Sequence, residues 1–322
     1  MPVNHSKARI PYYLFNGHIQ TIYSWALRRI SYIHYERERV TTQDDDFLDL
    51  DWSRVGGRNL AVLCHGLEGS TNSAYMKGMT RALNAHYIDV LGWNYRGCSG
   101  EANKLLKSYH AGSTDDLSFV INYVLKENPY QILYLIGFSL GGNLVLKYLG
   151  EAPSKVPKEI KKATVFSVPC HIKSAAKQMT LPYNAFYQRR FINSMVGKIK
   201  LKSTLFSGSL DLTNCDKLKT FKEFDNRYTA PLHGFHDADE YYEKCSSKQF
   251  LNNIQVPTLC VNALNDSFLS NECYPFIEAV NNPYLILEVP LSGGHLGFVE
   301  GVRNNSSYVE RRTIEFVHNN EY

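Results

Sequence analysis

The 322-residue chain contains no C-x-x-C pair, and its seven cysteines (Cys64, Cys98, Cys170, Cys215, Cys245, Cys260, Cys273) are odd in number and scattered. That usage excludes a disulfide framework and points to a reducing, cytoplasmic setting. Cys64 and Cys260 stand inside apolar runs, where a thiol is a small core residue. Long hydrophobic runs are also missing. The most membrane-like stretch, residues 130–149, is broken by Gln131, Ser139, Gly141, Gly142, Asn143 and Lys147, so no integral membrane segment is expected. The opening MPVNHSKARIPYYLF lacks the apolar centre and cleavage pattern of a secretory leader, and none is expected. Nor does one sign of charge dominate: 35 Lys and Arg face 31 Asp and Glu, a net of +4. So mild an excess, spread along the chain, leaves no nucleic-acid footprint. The Lys-rich stretches at 158–162 and 198–202 read as solvated surface. There is no internal repeat and no low-complexity segment.

What is present is ample apolar material, 44% of residues, enough for a full core. Residues up to about Asp51 read as an N-terminal extension and then a first pair of strands, turning near Asp44 to Asp46. From Asn59 the rhythm becomes strand, then helix, repeated. Strands are predicted at 59–64, 87–93, 131–136, 163–168, 257–263 and 284–290. Helices are predicted at 72–85 behind caps at Ser70 and Thr71, at 113–125, at 140–149, between the last two strands, and after Ser306. Such alternation implies an α/β fold, a mostly parallel sheet with helices on both faces. Between about Pro169 and Phe250 the rhythm breaks into aromatic residues at helical spacings. This predicts a helical lid inserted in the sheet, dividing the chain into 1–168, 169–250 and 251–322.

Gly137-Phe138-Ser139-Leu140-Gly141 matches G-x-S-x-G. In isolation such a match is weak, since Gly and Ser at roughly 7% each would produce one by chance in about one chain in ten of this length. Here it directly follows the apolar run Ile132 to Ile136 and directly precedes a helical pattern, the setting the motif needs for a nucleophile on a tight turn. Ser139 is therefore the candidate nucleophile. A serine hydroxyl needs a base, and the base an orienting acid. On sheets of this kind the chain order is Ser, then Asp or Glu, then His. Asp266 follows the strand ending at Ala263, and His295 follows the strand ending at Pro290, in a loop loosened by Gly293 and Gly294. Both then lie at carboxyl ends of strands, where open α/β sheets bind ligands.

His233 and His236 precede Asp266, the wrong order, and with Asp237 and Asp239 they match no standard metal spacing. No metal and no cofactor are expected. Asp115 and Asp116 open a helix and read as capping charges. An oxyanion needs two backbone donors, here assigned to Leu140 and to Leu67 in His65-Gly66-Leu67-Glu68-Gly69. His65 precedes the serine and reads as a residue that shapes this loop. Phe186, Tyr187 and Phe191 are the candidate aromatic wall of a substrate pocket.

With these residues placed, the chain resembles the YheT-like branch of the α/β hydrolases. The resemblance rests on NGHIQT from Asn16, HGLEGS from His65, NYRGCSGE from Asn94, YHAGSTDDL from Tyr109, GFSLGGN from Gly137, FDNRYTAPLHGF from Phe224 and the SGGH loop ending at His295. It spans nearly the whole chain. It implies the α/β-hydrolase fold and a catalytic serine, acid and histidine at Ser139, Asp266 and His295. The branch includes bacterial predicted esterases and eukaryotic relatives that act on phospholipids or medium-chain esters. The expected function is hydrolysis of a small-molecule carboxylic ester, short to medium in its acyl chain. Acyl transfer to an alcohol, thioester or peptide cleavage, and a non-catalytic binding role stay open as alternatives. Where relatives often carry two adjacent acids this chain has Asn265-Asp266, which leaves Asp266 as the acid. The sequence is silent on oligomeric state.

Overall fold

A computed structural model describes residues 3–4, 8–127, 130–302 and 305–319. The strands of its main sheet are β1 (Val3–Asn4), β2 (Glu36–Thr41), β3 (Phe47–Ser53), β4 (Asn59–Cys64), β5 (Ile88–Asn94), β6 (Ile132–Phe138), β7 (Ile160–Phe166), β8 (Thr258–Val261) and β9 (Leu285–Glu288), and Val299–Gly301 pairs antiparallel with Ser306–Ser307 in a separate ribbon. Among the described residues they form one nine-stranded sheet in the order β1-β9-β8-β7-β6-β4-β5-β3-β2. Only β3 runs against its neighbours; the pairings from β5 across to β1 are all parallel. The expected first strand pair is the β2–β3 hairpin, which turns through residues 42–46. The edge strand β1 was not foreseen, because two residues carry no periodic signal.

The strands in the centre alternate their side chains between two cores, as a pleat with helices on both faces requires. Leu60, Val62 and Cys64 of β4, with Leu133 and Leu135 of β6, enter one core. Ala61 and Leu63, with Tyr134, Ile136 and Phe138, enter the other. The helices follow suit. In chain order they are α1 (Gly17–Ile22), α2 (Ala74–Asn84), α3 (Thr114–Glu127), α4 (Leu140–Glu151), α5 (Ile172–Gln178), α6 (Ala185–Leu205), α7 (Phe221–Phe224), α8 (Ala230–Leu232), α9 (Ala238–Cys245), α10 (Phe276–Asn281) and α11 (Tyr308–His318). Leu117, Val120 and Val124 of α3 and Leu144, Val145 and Leu149 of α4 cover the first face. Met76, Met79 and Leu83 of α2, with Val309, Phe316 and Val317 of α11, cover the second. Helix α2 starts later than expected, on Ser73 as its N-terminal cap. Thr71 is instead drawn into the core, where its hydroxyl donates to Asp51 at 2.5 Å.

The chain leaves the sheet after β7 and returns at β8, and α5 to α9 lie in between. Part of this excursion has an apolar core of its own, made by Ile192, Val196, Ile199, Cys215, Phe224 and Tyr228. It is anchored to the loops at the carboxyl edge of the sheet. Tyr187 and Phe191 of α6 pack on Phe268 in the loop after β8. Lys198 pairs with Glu68 in the loop after β4 at 2.9 Å. At the same edge, just beyond β5, Arg96 ties the hairpin turn to α3 by ion pairs to Asp44, Asp46 and Asp116. Asp116 is thus the partner of a buried guanidinium, a stronger demand than helix capping.

Candidate active site

Ser139 lies between β6 and α4 with φ at 54°. A side chain in that left-handed region is strained and persists only where its surroundings enforce it. The enforcement is local crowding. A Cβ on Gly141 would lie 2.2 Å from the Cys64 carbonyl oxygen, and one on Gly137 would lie 2.5 Å from the Gly141 oxygen. Glycine at both positions lets β6 turn into α4 against β4. The turn leaves the Ser139 hydroxyl at the carboxyl edge of the sheet, at the start of a helix whose N-terminus favours developing negative charge.

The structure brings the three sequence-predicted residues together. His295 Nε2 is 2.9 Å from Ser139 Oγ, and His295 Nδ1 is 2.9 Å from Asp266 Oδ2. The Asp266 side chain is fully enclosed and that of His295 is 10% exposed. A carboxylate only accepts, so Nδ1 carries the proton and Nε2 is free to accept from the serine. The second Asp266 oxygen accepts the Phe268 N–H at 2.9 Å. Phe268 stacks on the imidazole with ring centres 4.2 Å apart, which fixes its plane.

The loop that carries His295 is braced from the N-terminal segment. Asn16 caps α1, and from that helix Thr21 Oγ1 accepts the His295 N–H at 2.8 Å while Gln20 Oε1 accepts the Gly293 N–H at 2.9 Å. Asn265 completes the brace: its Oδ1 accepts from Gly293 and Gly294, and its amide donates to Gln20. Ser167 Oγ accepts the Leu296 N–H at 3.0 Å. None of these four was given a supporting role from the sequence, where Asn265 stands out only as the neighbour of the candidate acid. The available signal was NGHIQT, noted as a likeness without a role.

The loop after β4 passes directly over Ser139, where a Cβ on Gly66 would lie 3.2 Å from the Ser139 Cβ. Its other amides are occupied: Gly66 N–H donates to Tyr75 Oη and Glu68 N–H to Tyr109 Oη. The N–H groups of Leu67 and Leu140 have no partner among the described residues, and both residues line the same cavity as Ser139 and His295. His65 is fully buried, and burial pushes its imidazole down to about 4. It stays neutral, with Nδ1–H donating to Gly66 O and Nε2 accepting from Tyr95 N–H. It shapes the loop, as its place before the serine led one to expect.

That cavity, about 120 Å³, is apolar and runs from Ser139 into the α5–α9 layer. Ile172, Ala175 and Ala176 of α5, Met179 at its C-terminal cap, Phe191 and Met195 of α6, and Phe221 of α7 form its walls. Of the three aromatic residues expected to line a pocket, Phe191 alone lines this cavity. Phe186 and Tyr187 border a wider cleft, about 740 Å³, that also reaches Ser139 and His295. The cause is helical rotation: Tyr187 turns inward onto Phe268 and His18, while its neighbour Phe186 is left 60% exposed. The imidazole-rich stretch near α9 has other duties. His233 packs against His110, Asp237 caps α9, and Asp239 pairs with Lys173 and Lys222.

Asp225 also lines the apolar cavity, an unusual place for a carboxyl. Burial pushes it up to about 6, against the opposing effect of hydrogen bonds from Thr229 and Tyr242, each 2.6 Å long. The folded protein therefore holds this proton over a range where the unfolded chain has lost it. The contribution of this one group to stability must fall as pH rises from about 4 to 6, by about 1.4 kcal/mol per pH unit, and level off above. Asp225→Asn removes that slope. Urea melts across pH 4 to 7 should show the variant gaining on the wild type as pH rises, by at most about 3 kcal/mol. A difference independent of pH would place the proton elsewhere.

Four further likenesses bear on the chain. A family model described as alpha/beta hydrolase fold matches residues 60–302. The protein named "Putative esterase YheT" from Escherichia coli K12 is 32% identical over 294 residues, covering 89% of this chain and 85% of that one. Human phospholipase ABHD3 is 30% identical over 304 residues, covering 88% of this chain and 72% of that one. Among solved structures, an esterase of Pyrococcus furiosus, Pf2001, superposes with a TM-score of 0.58 at 16% identity, covering 88% and 92% of the two chains. The strand order, the strained serine between strand and helix, and these matches lead to one conclusion. The chain belongs to the α/β-hydrolase fold family, in the branch that contains YheT.

Proposed function

We propose that the protein is a serine hydrolase of carboxylic esters, with Ser139 as nucleophile, His295 as base and Asp266 as its orienting acid. The observation that carries this reading is the continuous relay of 2.9 Å contacts from Ser139 through His295 to Asp266, beside two unpartnered amides. Ser139 Oγ attacks the ester carbonyl carbon as its proton passes to His295 Nε2. The oxyanion is held by the N–H groups of Leu67 and Leu140. Collapse of that intermediate expels the alcohol, which takes the proton from His295, and leaves an acyl-serine. Water, deprotonated by the same imidazole, then releases the carboxylic acid. No cofactor enters this chemistry. The names of the relatives, an esterase and a phospholipase, support an ester substrate. The segment 169–250 is read as a lid between the core segments 1–168 and 251–322.

The apolar cavity is the acyl site in this reading. Its size suits a short to medium chain, and each methylene that enters should contribute about 0.8 kcal/mol, or about fourfold in kcat/KM. For p-nitrophenyl esters kcat/KM should therefore climb from acetate to butyrate. Phe191→Ala should flatten that climb more than it lowers acetate turnover, whereas Phe186→Ala should leave it intact. A wild-type protein that hydrolyses none of these esters would count against the reading. An unaltered climb in Phe191→Ala would move the acyl site out of the cavity.

A further inference from the structure

Trp25 and Phe186 line the wide cleft, and other exposed apolar side chains stand beside them on the same two segments, an exposure that folding alone does not explain. His18, Ile22 and Trp25 follow one another at helical spacing on the N-terminal segment, and Phe15 stands just before its cap. Ile22 is 39% exposed, Trp25 48% and Phe15 75%. On the facing start of the lid, Tyr183 is 52% exposed and Phe186 60%. The two sides touch: His18 packs on Tyr183 and Tyr187, and the Arg190 guanidinium lies 3.9 Å over the Trp25 ring. Trp25, Phe186 and Arg190 thus border the cleft that reaches Ser139, and His18 with Tyr183 extends the surface outward from Tyr187. A contiguous apolar patch of this sort marks an interaction site.

The charges on the rim say what it meets. Arg29, Lys77 and Arg190 line the cleft and form no ion pair among the described residues. The acid that shares the cleft, Glu68, is already held by Lys198. Aromatic rings interleaved with unpaired cations suit the boundary between lipid headgroups and acyl chains, where rings enter and Arg or Lys meet anionic headgroups. A second copy of this chain fits poorly, because a two-fold contact through this face would set the same cations against each other. We propose that this rim docks on an anionic lipid surface, with the cleft opening toward the headgroups. No helix of the described residues is long and apolar enough to cross a membrane, so the contact is peripheral and reversible.

The tryptophans supply a direct reporter. Trp52 and Trp93 are each 1% exposed, so a change in emission on lipid contact belongs to Trp25. The full chain is mixed with vesicles of phosphatidylcholine and phosphatidylglycerol in equal parts, and in parallel with phosphatidylcholine alone. The expected result is a blue shift and co-sedimentation with the anionic vesicles, weak with the neutral ones and falling as salt is raised. Trp25→Phe should abolish the shift. The double variant Ile22→Ser, Tyr183→Ser should lower the bound fraction by about tenfold while hydrolysis of p-nitrophenyl butyrate in solution stays unchanged. Ser139→Ala protein should bind as the wild type does, which separates docking from catalysis. Absence of binding to anionic vesicles would overturn the proposal, as would equal binding of wild type and double variant. So would a dimer in solution that the double variant converts to monomer, since the rim would then be covered by a second copy.

Discussion

Ser139→Ala is expected to lower ester turnover by on the order of a million-fold with the fold intact, the loss seen when a nucleophile is removed from a cooperating triad. The expectation of an intact fold follows from the geometry. Alanine keeps the Cβ, so the strained backbone at φ 54° meets the same neighbours as before. The hydroxyl makes no capping bond to α4, and its hydrogen bond is to His295, which retains its other partner in Asp266. The melting temperature should hence stay near that of the wild type, and the residual rate should come from the two amides and binding alone. A fluorophosphonate probe gives the matching covalent test: it should label the wild type at Ser139 and leave the variant unlabelled. Label on another serine, or a variant that keeps its activity, would remove Ser139 from the chemistry.

How much of this was legible beforehand depends on how local each signal is. The central strands declare themselves because each is buried on both faces: β4 and β6 read as apolar runs that need no partner to be recognised. Ser139 was readable because its turn demands glycines at fixed offsets, and His295 because it follows the last strand of the main sheet in a loop with two glycines. The supports of the imidazole were not readable, since Gln20 and Gly293 stand 273 residues apart and meet only once the sheet closes. Neither glutamine nor threonine in a six-residue helix carries a signature of its own. Arg96 and its three carboxylates were hidden for the same reason, being an assembly of residues from a hairpin turn, a loop and a helix. Aromatic content indicated that segment 169–250 would pack, but which ring turns inward is decided by about 100° of helical rotation per residue. That phase separates Tyr187 from Phe186 and lies below the resolution of a spacing argument.

Asp266→Asn should reduce turnover by roughly ten-thousand-fold while the protein folds as before, and the reason is a proton rather than a charge. Asp266 accepts from two donors, the Phe268 N–H and the His295 Nδ1–H. An asparagine has one acceptor oxygen, and the Phe268 amide cannot rotate away, so the oxygen stays with it and the NH2 group turns toward His295. Two donors then face each other unless the imidazole moves its proton from Nδ1 to Nε2. In that tautomer the atom 2.9 Å from Ser139 Oγ already carries a hydrogen and cannot take another from the serine. The ring remains in place, stacked on Phe268 and held through its backbone by Thr21. The defect should accordingly appear in kcat, with KM and the urea midpoint little changed. Asp237→Asn serves as the comparison. Asp237 caps α9 through a bond to Glu240 N–H that asparagine can also make, and its neutralisation should leave turnover within about twofold. A larger loss in Asp237→Asn than in Asp266→Asn would mean that the orienting acid has been assigned to the wrong loop.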